Sequence, residues 1–388
     1  MQNFDKVGMY LDTLVRENKV AGCSVQIKLG DEPVYGYYSG YADIETGRPI
    51  TEDTLYRIYS MTKPVTVTAA LQLYEQGKFL LNDPVSAYLP EFKNMQVAQK
   101  KENGEYELHP AREEIRIRDL FCMTSGMCYD GDSCLTERLT GEFFNSLYQE
   151  FEKRSCQTRE LVRRAAALPL AFEPGSRWKY GISHDILGGL VEEISGERFG
   201  EYVRHHICEP LGMTDTAFHM EEEKLARLAS LYTQKEGGVE LRTDIFQKNY
   251  TEKSLCESGG AGLISSLPDY MKFASVLTRG GTSAGGVRIL GRQTIELMRR
   301  DHLGERRRFM NWSVLSGYSY GLGVRTLVDP AEGGVNGSLH EFGWSGMAGS
   351  YVLMDMEKEL TIVYMQQLVP STEEQIHPRL RNIVYGCL

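Results

Sequence analysis

A chain of 388 residues, 41% hydrophobic and 25% charged, is long enough to bury a sizeable core and to divide into two lobes. Its formal net charge of −10 argues against nucleic acid or an anionic membrane surface as a partner, because neither would be drawn to the whole surface. No run approaches the length of a membrane span, and the start, Met1 to Lys6, carries both charge signs without an apolar signal core. The eight cysteines, Cys156 and Cys256 among them, are scattered with no Cys-x-x-Cys pair, and without an export signal they read as reduced thiols. No spacing suits a metal ion, and the adjacent His205-His206 reads as a surface pair. These features predict a cytoplasmic protein without a cofactor, and a homo-oligomer is compatible with them.

Residues 5–18 predict an amphipathic helix. Cys23 to Leu29 and Val34 to Tyr41 predict two strands around Gly30-Asp31. The run from Thr54 to Tyr59 is rich in β-formers, and from Val65 onward apolar residues recur at helical spacing until Gly77. Pro64 suits the first turn of that helix, so Ser60 falls at its start. Lys63, three residues on, shares the face of the Ser60 hydroxyl. The Ser60 N–H also belongs to a helix N-terminus, where negative charge is stabilised. A nucleophile, a base and half of an oxyanion site therefore fit within one turn.

Further on, the polar stretch Lys93 to Glu114 holds Asn103-Gly104, a hairpin signal. Ile117 to Phe121 leads into Thr124-Ser125-Gly126, read as a helix ending in glycine. Residues 135–167 are charged and helical in texture. Pro174-Gly175 opens the stretch Trp178 to Asp185, and a helix from Ile186 to Ile194 stops at Gly196. Another helix spans about Pro268 to Leu277. The last third, Tyr320 to Val328, His340 to Asp355 and Leu360 to Gln366, alternates strand-like runs with glycine turns, and a helix around Gln375 to Tyr385 closes the chain. Strand-bearing ends around a helix-rich middle predict an α/β (α+β) fold. In it, residues 1–85 and 255–388 build one antiparallel sheet flanked by helices, and residues 86–254 form an inserted, mostly helical lobe.

Two other serines imitate a nucleophile. Ser176-Arg177-Trp178-Lys179 repeats the Ser-x-x-Lys spacing, but it follows Pro174-Gly175 without a helical apolar pattern, so its partners need not share a face. Gly281-Thr282-Ser283-Ala284-Gly285 matches a nucleophile elbow, which needs a core strand before it; here it follows a helix, in loop texture.

The stretches Ser60-Met61-Thr62-Lys63-Pro64, Leu81-Asn82-Asp83-Pro84 with Tyr88-Leu89-Pro90, and Met123-Thr124-Ser125-Gly126 carry a resemblance. So do Pro174-Gly175 through Tyr180 with Leu187-Gly188, Gly259 to Leu263, and Phe342-Gly343-Trp344-Ser345-Gly346. In this order they resemble the serine β-lactamase and penicillin-binding-protein superfamily, in the branch of class C β-lactamases and family VIII carboxylesterases. The resemblance implies that Ser60 is the nucleophile and that Lys63 and Tyr180 supply the base. Burial can lower a lysine pKa far enough to free its amine, and a nearby tyrosine could equally ionise, so the position of the proton between them stays open.

Two motifs depart from the β-lactamase pattern. Where Tyr-x-Asn would place an amide for a β-lactam side chain, the chain has Ile182, and the run Tyr180 to Asp185 looks like the Tyr-x-x-x-x-Asp variant of family VIII esterases. Asp185 then reads as a helix-start residue. Where Lys-Thr-Gly would meet a substrate carboxylate, it has Trp344-Ser345-Gly346, an apolar wall with one N–H donor. The N–H of Met347 is the expected second oxyanion donor, and Tyr129 is the expected wall of the acyl pocket. The resemblance thus implies a serine hydrolase working through an acyl-enzyme on a small-molecule ester or amide, foremost a carboxylesterase on small acyl esters. β-Lactam hydrolysis, D-peptide cleavage and acyl transfer are alternatives within the same chemistry, and a ligand sensor or structural protein is one outside it.

Overall fold

The two ends of the chain meet in one eight-stranded antiparallel sheet. Its order is Tyr318–Tyr320, Arg325–Leu327, Phe342–Ser345, Tyr351–Asp355, Leu360–Gln366, Gly22–Leu29, Glu32–Asp43 and Arg48–Pro49. The seam is the pairing of Gly22–Leu29 with Leu360–Gln366, in which Cys23 lies opposite Gln366 and Leu29 opposite Leu360. This computed structural model describes residues 4–151, 157–243 and 257–388. Cys156, Cys256 and the predicted boundary between residues 254 and 255 lie outside the described residues.

The sheet is covered on both faces, which explains why Leu360–Gln366 is buried at every position. Leu360, Ile362 and Tyr364 face a cluster that includes Val7, Leu11, Ile376 and Leu380, whereas Val363 and Met365 face the larger core around the Ser60 helix. The first cluster is roofed by the helices Asp5–Arg16 and Glu373–Tyr385, and Leu267–Thr278 packs on the other face. In Asp5–Arg16 the buried residues Val7, Leu11 and Leu14 recur at helical spacing, as a one-sided helix requires.

The expected helix is present as Thr62–Glu75, and its first turns are buried all round rather than on one side. Every residue from Thr62 to Leu71 is buried, because Ser183–Ser195 packs against it inside the main core. The β-rich run before it forms only a short strand, Leu55–Arg57, which pairs with Ile264–Ser266 outside the main sheet. The expected hairpin is present as Gln96–Lys100 with Tyr106–Pro110. A second one, Tyr232–Lys235 with Gly238–Leu241, lies in the stretch expected to be mostly helical, its turn made by Gly237 at φ +80°. The expected helix through Gly126 ends at Phe121, and Met123 (φ +57°) and Gly126 (φ +87°) instead turn the chain toward the site. Among the described residues no helix is long and apolar enough to cross a membrane.

Candidate active site

Ser60 occupies a 3-10 turn, Tyr59–Met61, that runs directly into the helix Thr62–Glu75. Tyr59 holds φ +43°, a conformation costly for a bulky residue, and it turns the chain sharply from strand to helix. The turn is held on two sides. Ile58 N–H donates to Leu263 O at 3.2 Å, Thr66 Oγ1 donates to Gly259 O at 2.7 Å, and Leu263 N–H donates to Thr62 Oγ1 at 3.0 Å. From the sheet, Ser350 Oγ donates to Ile58 O at 3.3 Å, beside Gly346.

Lys63 gathers the site. Its Nζ lies 3.1 Å from Ser60 Oγ, 3.0 Å from Tyr129 OH and 2.8 Å from Gly260 O, and 4.5 Å from the centre of the Tyr180 ring. The side chain is fully buried, and burial lowers its pKa from 10.5 to about 7 against the opposing pull of Asp185. Close to neutral pH this amine is therefore half free to take a proton. Burial pushes the Tyr180 phenol in the opposite direction, up, although hydrogen bonds to Ser60 and Trp344 partly offset the shift. The two groups thus part in favour of a neutral amine beside a neutral phenol. His184 is no rival base: burial, aided by Lys63, lowers it to about 3, and its Nε2 lies 3.2 Å from Phe121 O.

Tyr180 reaches Lys63 because two remote segments are tied together. Lys179 N–H donates to Met123 O at 3.0 Å, Gly175 N–H to Thr124 O at 2.8 Å, and the hydroxyls of Ser125 and Ser183 lie 2.8 Å apart. The same turn delivers Tyr129, whose ring centre is 5.3 Å from that of Tyr180. Gly260 leaves the room these side chains use: a Cβ there would stand 2.6 Å from Asp185 Oδ2 and 2.7 Å from Tyr129 OH, and one of them would have to shift. Asp185 Oδ1 accepts from Ser258 Oγ at 2.5 Å and from Gly260 N–H at 3.2 Å, and so aims the Gly260 carbonyl at Lys63.

Most of the expected site residues converge, and three need correction. Ser60, Lys63, Tyr180 and Tyr129 are in mutual contact. Tyr129 touches the lysine itself rather than only lining a pocket. Ile182 is 1% exposed and belongs to the main core, so it faces no substrate. The Trp344 ring is also buried, and its Nε1–H is already used, donating to Tyr180 OH at 3.1 Å. Asp185 lies in the first turn of Ser183–Ser195, as a helix-start residue should, and it is buried there. Beyond Ser345 and Gly346, the Gly349 N–H closes a turn on Gly346 O at 2.8 Å, which leaves the N–H of the exposed Met347 outside the turn bond. The two decoys stand apart. Ser176 is exposed, Lys179 pairs with Glu137 instead of it, and Ser283 sits in a surface turn.

Sequence reasoning named Gly260 only within a motif, without a role, and passed over Trp312. The glycine-rich run Gly259 to Gly262 was a signal for the first. Trp312, with its ring centre 4.9 Å from that of Tyr180, carries no local pattern that would have marked it.

The family described as Beta-lactamase matches residues 9–385. Protein Rv1367c of Mycobacterium tuberculosis is 35% identical over 86% of this chain and 82% of its own length. Esterase EstB of Burkholderia gladioli is 27% identical over 91% of this chain and 88% of its own. Among solved structures, EstCE1, a hydrolase with promiscuous acyltransferase activity, superposes with a TM-score of 0.83 at 24% identity, covering 99% of this chain and 98% of its own.

Proposed function

The chain belongs to the β-lactamase family, and from that premise we propose that it is a serine carboxylesterase acting through an acyl-enzyme on Ser60. One observation carries the reading: a fully buried lysine, lowered to about 7, stands 3.1 Å from the Ser60 hydroxyl. The neutral Lys63 amine takes the Ser60 proton as Oγ attacks the ester carbonyl. The oxyanion is held by the Ser60 and Met347 N–H groups, each worth ~10²–10³ in rate at comparable sites. As the intermediate collapses, the proton passes from Lys63 by way of the Tyr180 hydroxyl to the leaving alkoxide. Water then attacks the acyl carbonyl along the same proton path, which regenerates Ser60 and releases the acid.

Esters are favoured over β-lactams by what surrounds Ser60. A β-lactam asks for a side-chain amide and a cation. At the matching positions the chain has a core isoleucine, Ile182, and a buried tryptophan, Trp344, whose N–H is already bonded. Leaving such polar groups without partners costs roughly 1–3 kcal/mol each, more for a carboxylate. Transfer of the acyl group to an alcohol is a second reading, supported by the promiscuous acyltransferase activity of the structurally similar EstCE1. In that case an alcohol replaces water in the second half of the reaction.

A serine-directed fluorophosphonate should label Ser60, with the mass of the adduct found on the peptide that contains it. Ser60→Ala should abolish labelling and ester turnover, whereas Ser176→Ala and Ser283→Ala should retain both. Label on either of the latter serines would refute the assignment.

A further inference from the structure

A cavity of about 640 Å³ opens next to the edge strand Tyr318–Tyr320, within the size range of small-molecule sites. Residues between Asp301 and Tyr318 line it, together with Glu332. Trp312 is the wall that it shares with the site around Ser60. That ring lines the cavity and is 39% exposed, yet its centre lies 4.9 Å from that of Tyr180 and 5.7 Å from that of Trp178. The acyl-enzyme chemistry uses none of the cavity's residues.

Several polar groups in its wall are already committed. Arg307 pairs with Glu332 at 3.1 Å, and Ser313 Oγ donates to Glu374 at 2.9 Å. Asp301 Oδ1 accepts from the N–H groups of Leu303 and Gly304 at 2.8 and 3.0 Å. Glu305, Arg308 and Asn311 differ. All three are exposed on the cavity, and none makes a side-chain hydrogen bond or ion pair among the described residues. The Arg308 guanidinium rests over the Phe309 ring, 5.1 Å from its centre, a support that occupies none of its N–H donors.

We propose that this cavity binds a saccharide, the alcohol portion of an ester whose acyl group passes to Ser60. The proposal rests on the acyl-enzyme reading and names the alcohol that leaves. The ester C–O bond breaks, the sugar oxygen takes the proton arriving by way of the Tyr180 hydroxyl, and the acyl group stays on Ser60 Oγ until water removes it. The class follows from the uncommitted groups. A carboxylate, a guanidinium and an amide together offer donors and acceptors without net charge. An anion would meet Glu305, Glu332 and Asp301, whereas an ammonium would meet Arg308 and Arg307. A hydrocarbon chain would strip water from the three free groups without replacing its hydrogen bonds. A sugar hydroxyl both donates and accepts, so it can serve each of the three. The C–H face of a pyranose ring suits the exposed indole of Trp312.

The primary acetates of methyl glucoside, methyl galactoside and methyl mannoside test the proposal against tetrahydropyranylmethyl acetate, which keeps the ring and lacks the hydroxyls. At least one sugar acetate should exceed this isostere in kcat/KM by roughly tenfold or more. Arg308→Ala and Asn311→Ala should each cut that preference roughly threefold or more. Trp312→Ala should cut it as well; the ratio of the two esters is read because any disturbance of Tyr180 slows both alike. No preference for any sugar acetate, or a preference that survives all three substitutions, overturns the proposal. If phenyl acetate is then still turned over and Ser60 still labelled, the Ser60 chemistry stands without it. Failure of phenyl acetate to turn over, with Ser60 unlabelled, overturns the acyl-enzyme reading and this proposal with it.

Discussion

Replacing Lys63 by methionine should make the protein more stable at pH 7 while abolishing its activity. Lys63 is completely buried, and its pKa falls from 10.5 to about 7. The unfolded chain keeps the ordinary lysine value, so at pH 7 it holds a full proton where the folded chain has lost half of one. Integrated over that shift, the buried amine costs the fold about 4 kcal/mol at pH 7. Methionine removes this cost and fills much of the same volume, but it leaves the Gly260 carbonyl without the donor that stands at 2.8 Å. That loss returns roughly 1–3 kcal/mol, so the variant should gain on the order of 1–3 kcal/mol overall.

The sign of the pH dependence distinguishes this cause from a better-packed core. Between about 7 and 10.5 the unfolded state binds more protons at this position than the folded state, so wild-type stability rises with pH across that window. The cost is largest below the folded value and vanishes above the unfolded one. The advantage of Lys63→Met should therefore shrink by about 2 kcal/mol from pH 7 to pH 9, while contributions from all other groups cancel between the two proteins. Urea unfolding followed by tryptophan fluorescence at both pH values measures it. A variant less stable than the wild type at pH 7, or a gap that does not change with pH, would mean that Lys63 keeps its proton in the fold, and it would lose its place as the base.

The same amine should shape the rate. For a neutral aryl ester, kcat/KM should fall as the pH drops through about 7, and Asp185→Asn should move that limb to lower pH by removing the charge that supports the ammonium; a limb that stays in place would count against the pairing. Turnover of a short aryl ester should exceed that of a cephalosporin by roughly two orders of magnitude, and Trp344→Lys should narrow the gap, partly by slowing the ester as Tyr180 loses its Nε1–H partner. Gly260→Ala should lower both stability, by roughly 1–3 kcal/mol, and activity, because its Cβ would meet Asp185 Oδ2 at 2.6 Å and Tyr129 OH at 2.7 Å; normal melting with full activity would show that the loop yields freely.

What was legible in the sequence is what local geometry dictates. Ser60 and Lys63 are three positions apart on one helical face, so their contact follows once the helix is recognised. Hairpins around Gly30-Asp31 and Asn103-Gly104 and the one-sided pattern of Asp5–Arg16 are equally local, and all are present. The failures came where burial overrode the local pattern. Ile182 fell into the core because the helix Ser183–Ser195 that it precedes packs on the Ser60 helix. Trp344 reads from the sequence as an apolar wall with one N–H donor, and nothing in a strand pattern says that the Tyr180 phenol will take that donor at 3.1 Å.

The sequence by itself therefore singled out Ser60 as the proposed nucleophile, Lys63 and Tyr180 as its proposed bases, and the antiparallel sheet of the fold that holds them. Only the tertiary structure decided their state. The three hydrogen-bond partners of Lys63 lie 3, 66 and 197 positions away along the chain. Its lowered pKa comes from the exclusion of water by segments equally remote. Desolvation is a property of everything packed around a group, so no spacing within one stretch of chain encodes it.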